Sequence, residues 1–333
     1  MSNDRTLARG GRVSGALLLA ALAVLDLGWI IRDFTKAAEV TDVWWMWSSL
    51  LFRAQDGVWA SSFVEPTLLV LYTVCAVTAL HSSSAAGILA SAGALTILLR
   101  VPTLWNLNAN WIRGGVSEGL RSKVLFSVIA MLVFAVALVV IAAAARRPVP
   151  VRATDGADTG TGPGDGPPAR PAPGGRVAAF LLSAAVAVVL VAWEVQAWRD
   201  QGWELYSRHF TGDRGLVTLL AVPDTWYGLT LALLSLAAAV AALTRAGHAR
   251  PLGMILAAPL LGSGGFALSF AVKAQLLSDF AELELRDQLR LATAVFEILA
   301  ALALLLALAH RDDRSAEPGP TGAAAPSSSA TAA

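Results

Sequence analysis

Charge and cysteine are both scarce in this chain. Only 15 % of its 333 residues are Asp, Glu, Lys or Arg, against about 25 % in soluble domains. The formal net charge is +1, which excludes a protein that holds nucleic acid by bulk positive charge. Cys75 is the single cysteine. It has no second cysteine for an internal disulfide and cannot build a cysteine-based zinc or iron–sulfur centre. Lying in an apolar run, it reads as a small buried hydrophobe.

Histidine is nearly as rare. His81, His209, His248 and His310 are the four, and none belongs to a metal-binding spacing such as H-E-x-x-H. His81 and His248 fall near corresponding turns of the chain, but two imidazoles alone do not make a site. Facing axial histidines for a haem are absent from the apolar runs. There is no phosphate loop, no dinucleotide-binding motif and no nucleophile elbow. No metal and no cofactor is expected, and the balance leans away from an enzyme.

What the chain has in excess is apolar surface. The apolar set is 56 % before its 28 glycines are added, where soluble domains reach about 45–50 % with glycine included. The mean hydropathy is +0.61. This composition predicts an all-α polytopic membrane protein. A helix needs ~20 apolar residues to cross the hydrocarbon core. Eight runs qualify as spans: 13–31, 65–81, 85–103, 124–145, 177–197, 225–244, 251–272 and 289–310. Only His81-Ser82-Ser83-Ser84 separates the second from the third, which predicts a tight hairpin.

The first run follows Arg5, Arg9 and Arg12 and so imitates a signal peptide. It continues through Asp26-Leu27-Gly28-Trp29-Ile30-Ile31 instead of ending at small residues, so a retained helix is expected. Two stretches carry too little apolar surface to offset their ordering entropy. One is the Gly/Pro/Asp-rich segment 148–176 and the other is 311–333. The predicted organisation is an N-terminal segment (1–12), a four-span unit (13–147), a disordered linker (148–176), a second four-span unit (177–310) and a disordered tail (311–333).

The two units look like copies. Gly11-Arg12-Val13 opens the first and Gly175-Arg176-Val177 the second. Trp29 and Trp193 share that offset. Ala76-Val77-Thr78-Ala79-Leu80 corresponds to Ala239-Val240-Ala241-Ala242-Leu243, and Leu120-Arg121 to Leu285-Arg286. Chance resemblance among Ala/Leu/Val-rich helices explains the short matches better than it explains the shared loop pattern. With four spans each, the copies take one orientation and relate by an axis along the membrane normal. Arginines cluster around the linker, between spans six and seven, and after span eight. Acids concentrate in the opposite loops. The positive-inside rule then places both termini in the cytoplasm of a cell-membrane protein.

All 11 tryptophans fall in outer loops or at outer span ends. Tryptophan favours the membrane interface, but a plain interfacial belt would occupy both faces. Trp44, Trp45, Trp47, Trp59, Trp105, Trp111, Trp198 and Trp203 are the candidate outer-face contacts. Three outer stretches (40–52, 198–206 and 275–288) are predicted as interfacial helices.

Ionisable groups inside spans are costly and carry functional hypotheses by default. Asp26, Glu194 and Glu297 are the interior acids, with Arg100, Lys273 and Arg290 as cationic partners. All six fall in the outer half. Two readings compete: a polar pocket open to the outer leaflet, and structural pairing between helices. In span seven, Leu261-Gly262-Ser263-Gly264-Gly265 marks either a helix break or close helix packing.

These features support, first, a membrane binding or accessory protein that engages a partner subunit or lipid through its tryptophan-rich face. A transporter of a lipid-like or small neutral solute is the alternative, and an outer-leaflet lipid-modifying enzyme comes third. The expected partners are membrane lipid and a membrane protein, with no nucleic acid.

Overall fold

The computed structural model describes residues 5–52, 54–55, 57–107, 112, 115–148, 173–212 and 218–309. Its long elements are helices: α1 (Arg9–Lys36), α2 (Val40–Trp47), α3 (Val64–His81), α4 (Ala85–Asn106), α5 (Glu118–Ala144), α6 (Pro173–Thr211), α7 (Asp224–Leu243), α8 (Ala249–Lys273) and α9 (Leu285–Ala309). All except α2 are long and apolar enough to cross a bilayer. Each of those eight covers one predicted span to within a residue. This is the architecture of an all-α polytopic membrane protein. A lone segment in hydrocarbon must satisfy its own N–H and C=O groups, and the helix does so.

Local chemistry sets the boundaries. Ser117 caps α5 by accepting from the Leu120 amide at 3.4 Å. Glu39 and Asp42 cap α2 reciprocally, each side chain taking a backbone N–H that the helix cannot use. Pro223 precedes α7, which carries Asp224 in its first turn, where an acid complements the helix dipole. The serine turn after His81 does break α3 from α4.

The loops at the tryptophan end differ from expectation in two places. Residues 198–206 straddle a break, where the fifth spanning helix and a second short helix that runs to Thr211 meet. They bend at Gly202 (φ 73, ψ 164), a conformation open only to glycine without strain. Residues 275–288 are mainly turns. Gln275 has φ 59 and follows the last turn of α8, a single 3-10 turn covers Phe280–Glu282, and Leu285 already opens α9.

At the opposite end, two short strands pair antiparallel: β1 (Arg5–Leu7) with β2 (Arg146–Pro148). The start of span one and the end of span four are therefore neighbours, on one side as an even number of crossings requires. Most of the 148–176 segment and all of 311–333 lie outside the described residues. Pro173 to Arg176 form the first turn of α6.

Within the first half α1 packs on α3, α4 on α5, α1 on α5 and α3 on α4. In the second half α6 packs on α7, α8 on α9, α6 on α9 and α7 on α8. The halves meet through α3 and α4 against α8, and through α4 against α7. Large exposed side chains such as Val24, Val74, Phe126, Val188, Leu233 and Leu306 point outward from the other spans. Such a surface suits lipid and would be a liability in water. On α4 and α8 the large exposed hydrophobics are Trp105 and Val272, both at helix ends. Those two helices form the shielded centre.

The centre is tight because small residues line it. The helix α8 runs unbroken through 261–265, so that stretch is packing surface and not a break. A Cβ on Gly264 would meet the Ala294 carbonyl oxygen of α9 at 2.6 Å, and one on Gly262 would collide with Thr67 of α3. Pro102, inside α4, has no N–H for the Leu98 carbonyl four residues back. Trp226 of α7 supplies its indole N–H instead, at 2.7 Å, and so bonds one half to the other.

Candidate functional site

The charged groups of the first half converge beneath the tryptophan end. Arg100 lies near the end of α4 and is fully buried, as are Asp26 of α1 and Glu65 in the first turn of α3. Arg100 Nη2 donates to Asp26 Oδ1 at 2.9 Å, and Nη1 to Glu65 Oε1 at 2.5 Å. Nη1 also reaches the Leu220 carbonyl at 3.5 Å. The planar guanidinium thus bridges two carboxylates on two helices. Below it the Tyr72 hydroxyl meets Thr96 Oγ1 at 2.7 Å. Thr96 spends its own proton on the Ala92 carbonyl, so Tyr72 donates.

Glu65 has a second task. Its Oε2 accepts the Ser62 N–H and the Ser62 Oγ–H, while Ser62 Oγ accepts from the Val64 amide at 3.2 Å. The carboxylate therefore ties the Ser62 turn ahead of α3 to Arg100. Asp26 has fewer ties: its Oδ2, like Arg100 Nε, has no hydrogen-bond partner among the described residues.

Asp33, two residues beyond the predicted span one and still within α1, organises the adjoining loop. It is fully buried and accepts the amides of Ala60 and Ser61 and the Ser61 hydroxyl at 2.6–3.1 Å. Arg32 pairs with it at 2.6 Å and donates to the Val58 carbonyl at 2.9 Å. The loop so held crosses to the other half. Leu219 and Leu220 donate their amides to the Trp59 and Ala60 carbonyls at 3.1 and 2.9 Å. A cavity of about 240 Å³ lies beside this crossing, with Trp47, Ser62, Phe63, Thr218 and Asp224 among its walls.

The second half handles its acids differently. Glu194 accepts from the Tyr206 hydroxyl at 3.1 Å and packs so closely on Gly228 that a Cβ there would collide with it. Since Tyr206 lies beyond Gly202, this bond latches the bent extension to its own helix. Glu297 accepts from Ser263 Oγ at 2.6 Å. Among the described residues no ion pair reaches either acid. Lys273 sits over the Trp45 ring at 4.8 Å and Arg290 over the Trp193 ring at 5.9 Å. Arg290 also lies 3.8 Å from Asp287. Of the six polar candidates, only Asp26 and Arg100 are in contact. The six do not form one pocket.

The tryptophan candidates divide too. Trp47 and Trp59 are internal. Trp47 donates to Ser61 Oγ at 3.0 Å, and Trp59, 2 % exposed, donates to the Phe52 carbonyl at 2.8 Å. Neither is available as an outer contact. An indole N–H has only one bond to give, and inside a dry core it must be given there. Trp44 bonds Ser269 of α8 at 2.8 Å and stacks on Phe266 at 4.9 Å. Trp105 packs edge-on to Trp226 at 5.3 Å. Trp198 and Trp203 face outward, 50 % and 67 % exposed, with ring centres 6.4 Å apart. Trp111 lies outside the described residues.

Two site residues escaped the sequence reading, Glu65 and Asp33. Both fall at span ends, where acids are ordinary. A signal for Glu65 was present: Ser62-Phe63-Val64-Glu65 is the S-x-x-E capping pattern before an apolar run. Beyond its neighbour Arg32, nothing local distinguishes Asp33, whose loop partners are 27 and 28 residues away.

Among the described residues no three His, Cys, Asp or Glu side chains are grouped to hold a metal ion. Comparison with protein-family models, with curated proteins and with solved structures gives no match. Fold and site together define a class: a polytopic α-helical membrane protein whose first half is locked by a sealed Asp–Arg–Glu cluster.

Proposed function

We propose that this is a non-catalytic membrane protein of binding or accessory type. Its tryptophan-rich end, facing out of the cell, engages a partner subunit or lipid. Both termini lie in the cytoplasm and the chain sits in the cell membrane. The observation that carries this reading is the exposed pair Trp198 and Trp203 on the extension bent at Gly202. Aromatic rings held outward on a latched element are contact surface. Asp26, Glu65 and Glu297, by contrast, each bond a side chain of another helix, which speaks against acid–base catalysis.

The fold reading that accompanies it is a pair of parallel four-helix repeats. In its support, the packing partners of the first half recur in the second, and contacts between halves exchange under a twofold axis between α4 and α8. Three of the outer-face elements then have distinct tasks. α2 seals the halves together, 198–206 presents aromatic rings, and 275–288 connects.

Transport of a small neutral or lipid-like solute between the repeats is the second reading. The cavity of about 240 Å³ between the loops of the two halves favours it. Native mass spectrometry of the chain, gently extracted from its own membrane, separates the two. A stoichiometric polypeptide or lipid that is lost in the double variant Trp198→Ala/Trp203→Ala supports the binding reading. A bound small molecule that survives those substitutions moves the function to the cavity.

A further inference from the structure

We propose that the tryptophan end docks a basic amphipathic segment of a polypeptide partner, and that the 275–288 connection between α8 and α9 supplies the acidic part of the docking surface. The proposal rests on the reading of Trp198 and Trp203 as contact residues and names the kind of partner they meet.

The extension and the connection lie side by side. Asp200, between the two tryptophans in sequence, pairs with Arg286 at 3.1 Å, and α6 packs on α9. Apolar surface continues across that ion pair. Beside the exposed tryptophans, the connection and the start of α9 expose Phe280, Leu285 and Leu289, Leu285 by 70 %. Large apolar side chains gathered on one exposed edge mark an interaction site.

Acids interleave with these apolar residues. Asp279 precedes Phe280, and Glu282 and Glu284 lead into Leu285. All three acids are exposed. Among the described residues none of them makes an ion pair or a side-chain hydrogen bond. The nearby bases are engaged. Arg286 holds Asp200, Arg208 pairs with Glu204 at 2.6 Å, and Lys273 and Arg290 lie over the Trp45 and Trp193 rings. Arg199 is the one base of the extension with neither an ion pair nor a ring contact among the described residues. Asp279, Glu282 and Glu284 outweigh it, so this edge is acidic.

The connection is also held in place. Gln288 Nε2 donates to the Phe280 and Leu283 carbonyls at 3.1 and 3.0 Å, and the Asp287 and Gln288 amides both close on the Glu284 carbonyl. A surface ordered in advance loses less freedom when a partner binds.

The charge pattern selects the occupant. Uncompensated acids repel an anionic lipid surface, and a zwitterionic one brings them no net countercharge. A segment with an apolar stripe flanked by Lys or Arg meets both halves of the pattern. Its stripe covers the tryptophans and leucines, and its bases face the acids.

The test uses the full chain in phosphatidylcholine nanodiscs. The probes are a fluorescent Leu/Lys amphipathic peptide and its Leu/Glu counterpart, with binding to empty nanodiscs subtracted. The Leu/Lys peptide should bind and weaken as salt rises, and the Leu/Glu peptide should not bind. Asp279→Asn/Glu282→Gln/Glu284→Gln should weaken binding ~5-fold or more, the effect of three exposed charge pairs. Trp203→Ala should weaken it ~10-fold, as loss of an aromatic anchor. Equal binding of the two peptides, or unchanged affinity in the triple variant, overturns the proposal. So does a lipid, and no polypeptide, lost from the native chain in Trp198→Ala/Trp203→Ala, an outcome that leaves the tryptophan end standing as a contact surface. Leu/Lys binding that ignores Trp203→Ala overturns the tryptophan reading itself, and the proposal with it.

Discussion

Replacing Arg100 with methionine tests whether the Asp26–Arg100–Glu65 cluster is a sealed structural lock. Methionine has similar length and keeps the apolar stem, so the change removes charge and hydrogen bonds with little loss of volume. Two routes give the magnitude. Breaking a buried ion pair by deleting one partner costs about 3–5 kcal/mol, because a charge is left stranded. Counting bonds instead, Arg100 makes two charge-assisted contacts, at 2.9 and 2.5 Å, each contributing about 1.5–3 kcal/mol. The bond count gives about 3–6 kcal/mol, which overlaps the first route, so a loss of about 3–5 kcal/mol is expected. Equilibrium unfolding in mixed micelles with increasing SDS fraction measures it. The two acids should differ. Asp26→Asn keeps an oxygen for Arg100 and touches an atom with no other partner, so it should cost about 1 kcal/mol or less. Glu65→Gln weakens both the Arg100 bond and the two bonds from Ser62, and should cost at least about 3 kcal/mol. A loss under about 1 kcal/mol for Arg100→Met, or equal losses for the two acids, would show a hydrated cluster and refute the reasoning.

Asp33→Asn should free the 58–61 loop, with faster amide hydrogen exchange at Ala60 and Ser61 and a stability loss of about 2–4 kcal/mol, since one buried carboxylate holds both amides. Gly264→Val drives a side chain into the α9 backbone; about 1–3 kcal/mol of overpacking is expected, read by the same micelle unfolding. Trp226→Phe leaves the Leu98 carbonyl without a donor opposite Pro102 and should cost about 1–3 kcal/mol. Trp47→Ala should destabilise by about 3–5 kcal/mol as a core truncation, whereas Trp203→Ala should leave unfolding unchanged and abolish only what the tryptophan end binds.

Hydropathy along the chain was enough to place every spanning helix, because ~20 apolar residues in hydrocarbon have no other self-satisfied form. The serine turn after His81 was legible for equally local reasons, and so was a helix in 40–52, although it ends at Trp47. The stretches at 198–206 and 275–288 were not, because one glycine bend and one left-handed residue redirect them. The pairing of Asp26 with Arg100 spans 74 residues, and sequence offered both only as candidates among six. Glu65 looked like an ordinary first-turn acid, and Trp47 and Trp59 looked like surface aromatics.

The sequence by itself determined that the chain is a membrane-embedded helical protein, where its spans lie, and which few polar residues enter them. Those properties follow from transfer free energies, which are set residue by residue. Only the tertiary structure decided which acid meets the arginine, which tryptophans are spent inside, and that α4 and α8 form the shielded centre. Those outcomes depend on contacts between segments far apart in the chain. A buried donor or acceptor takes whichever partner the packing of helices brings within 3 Å.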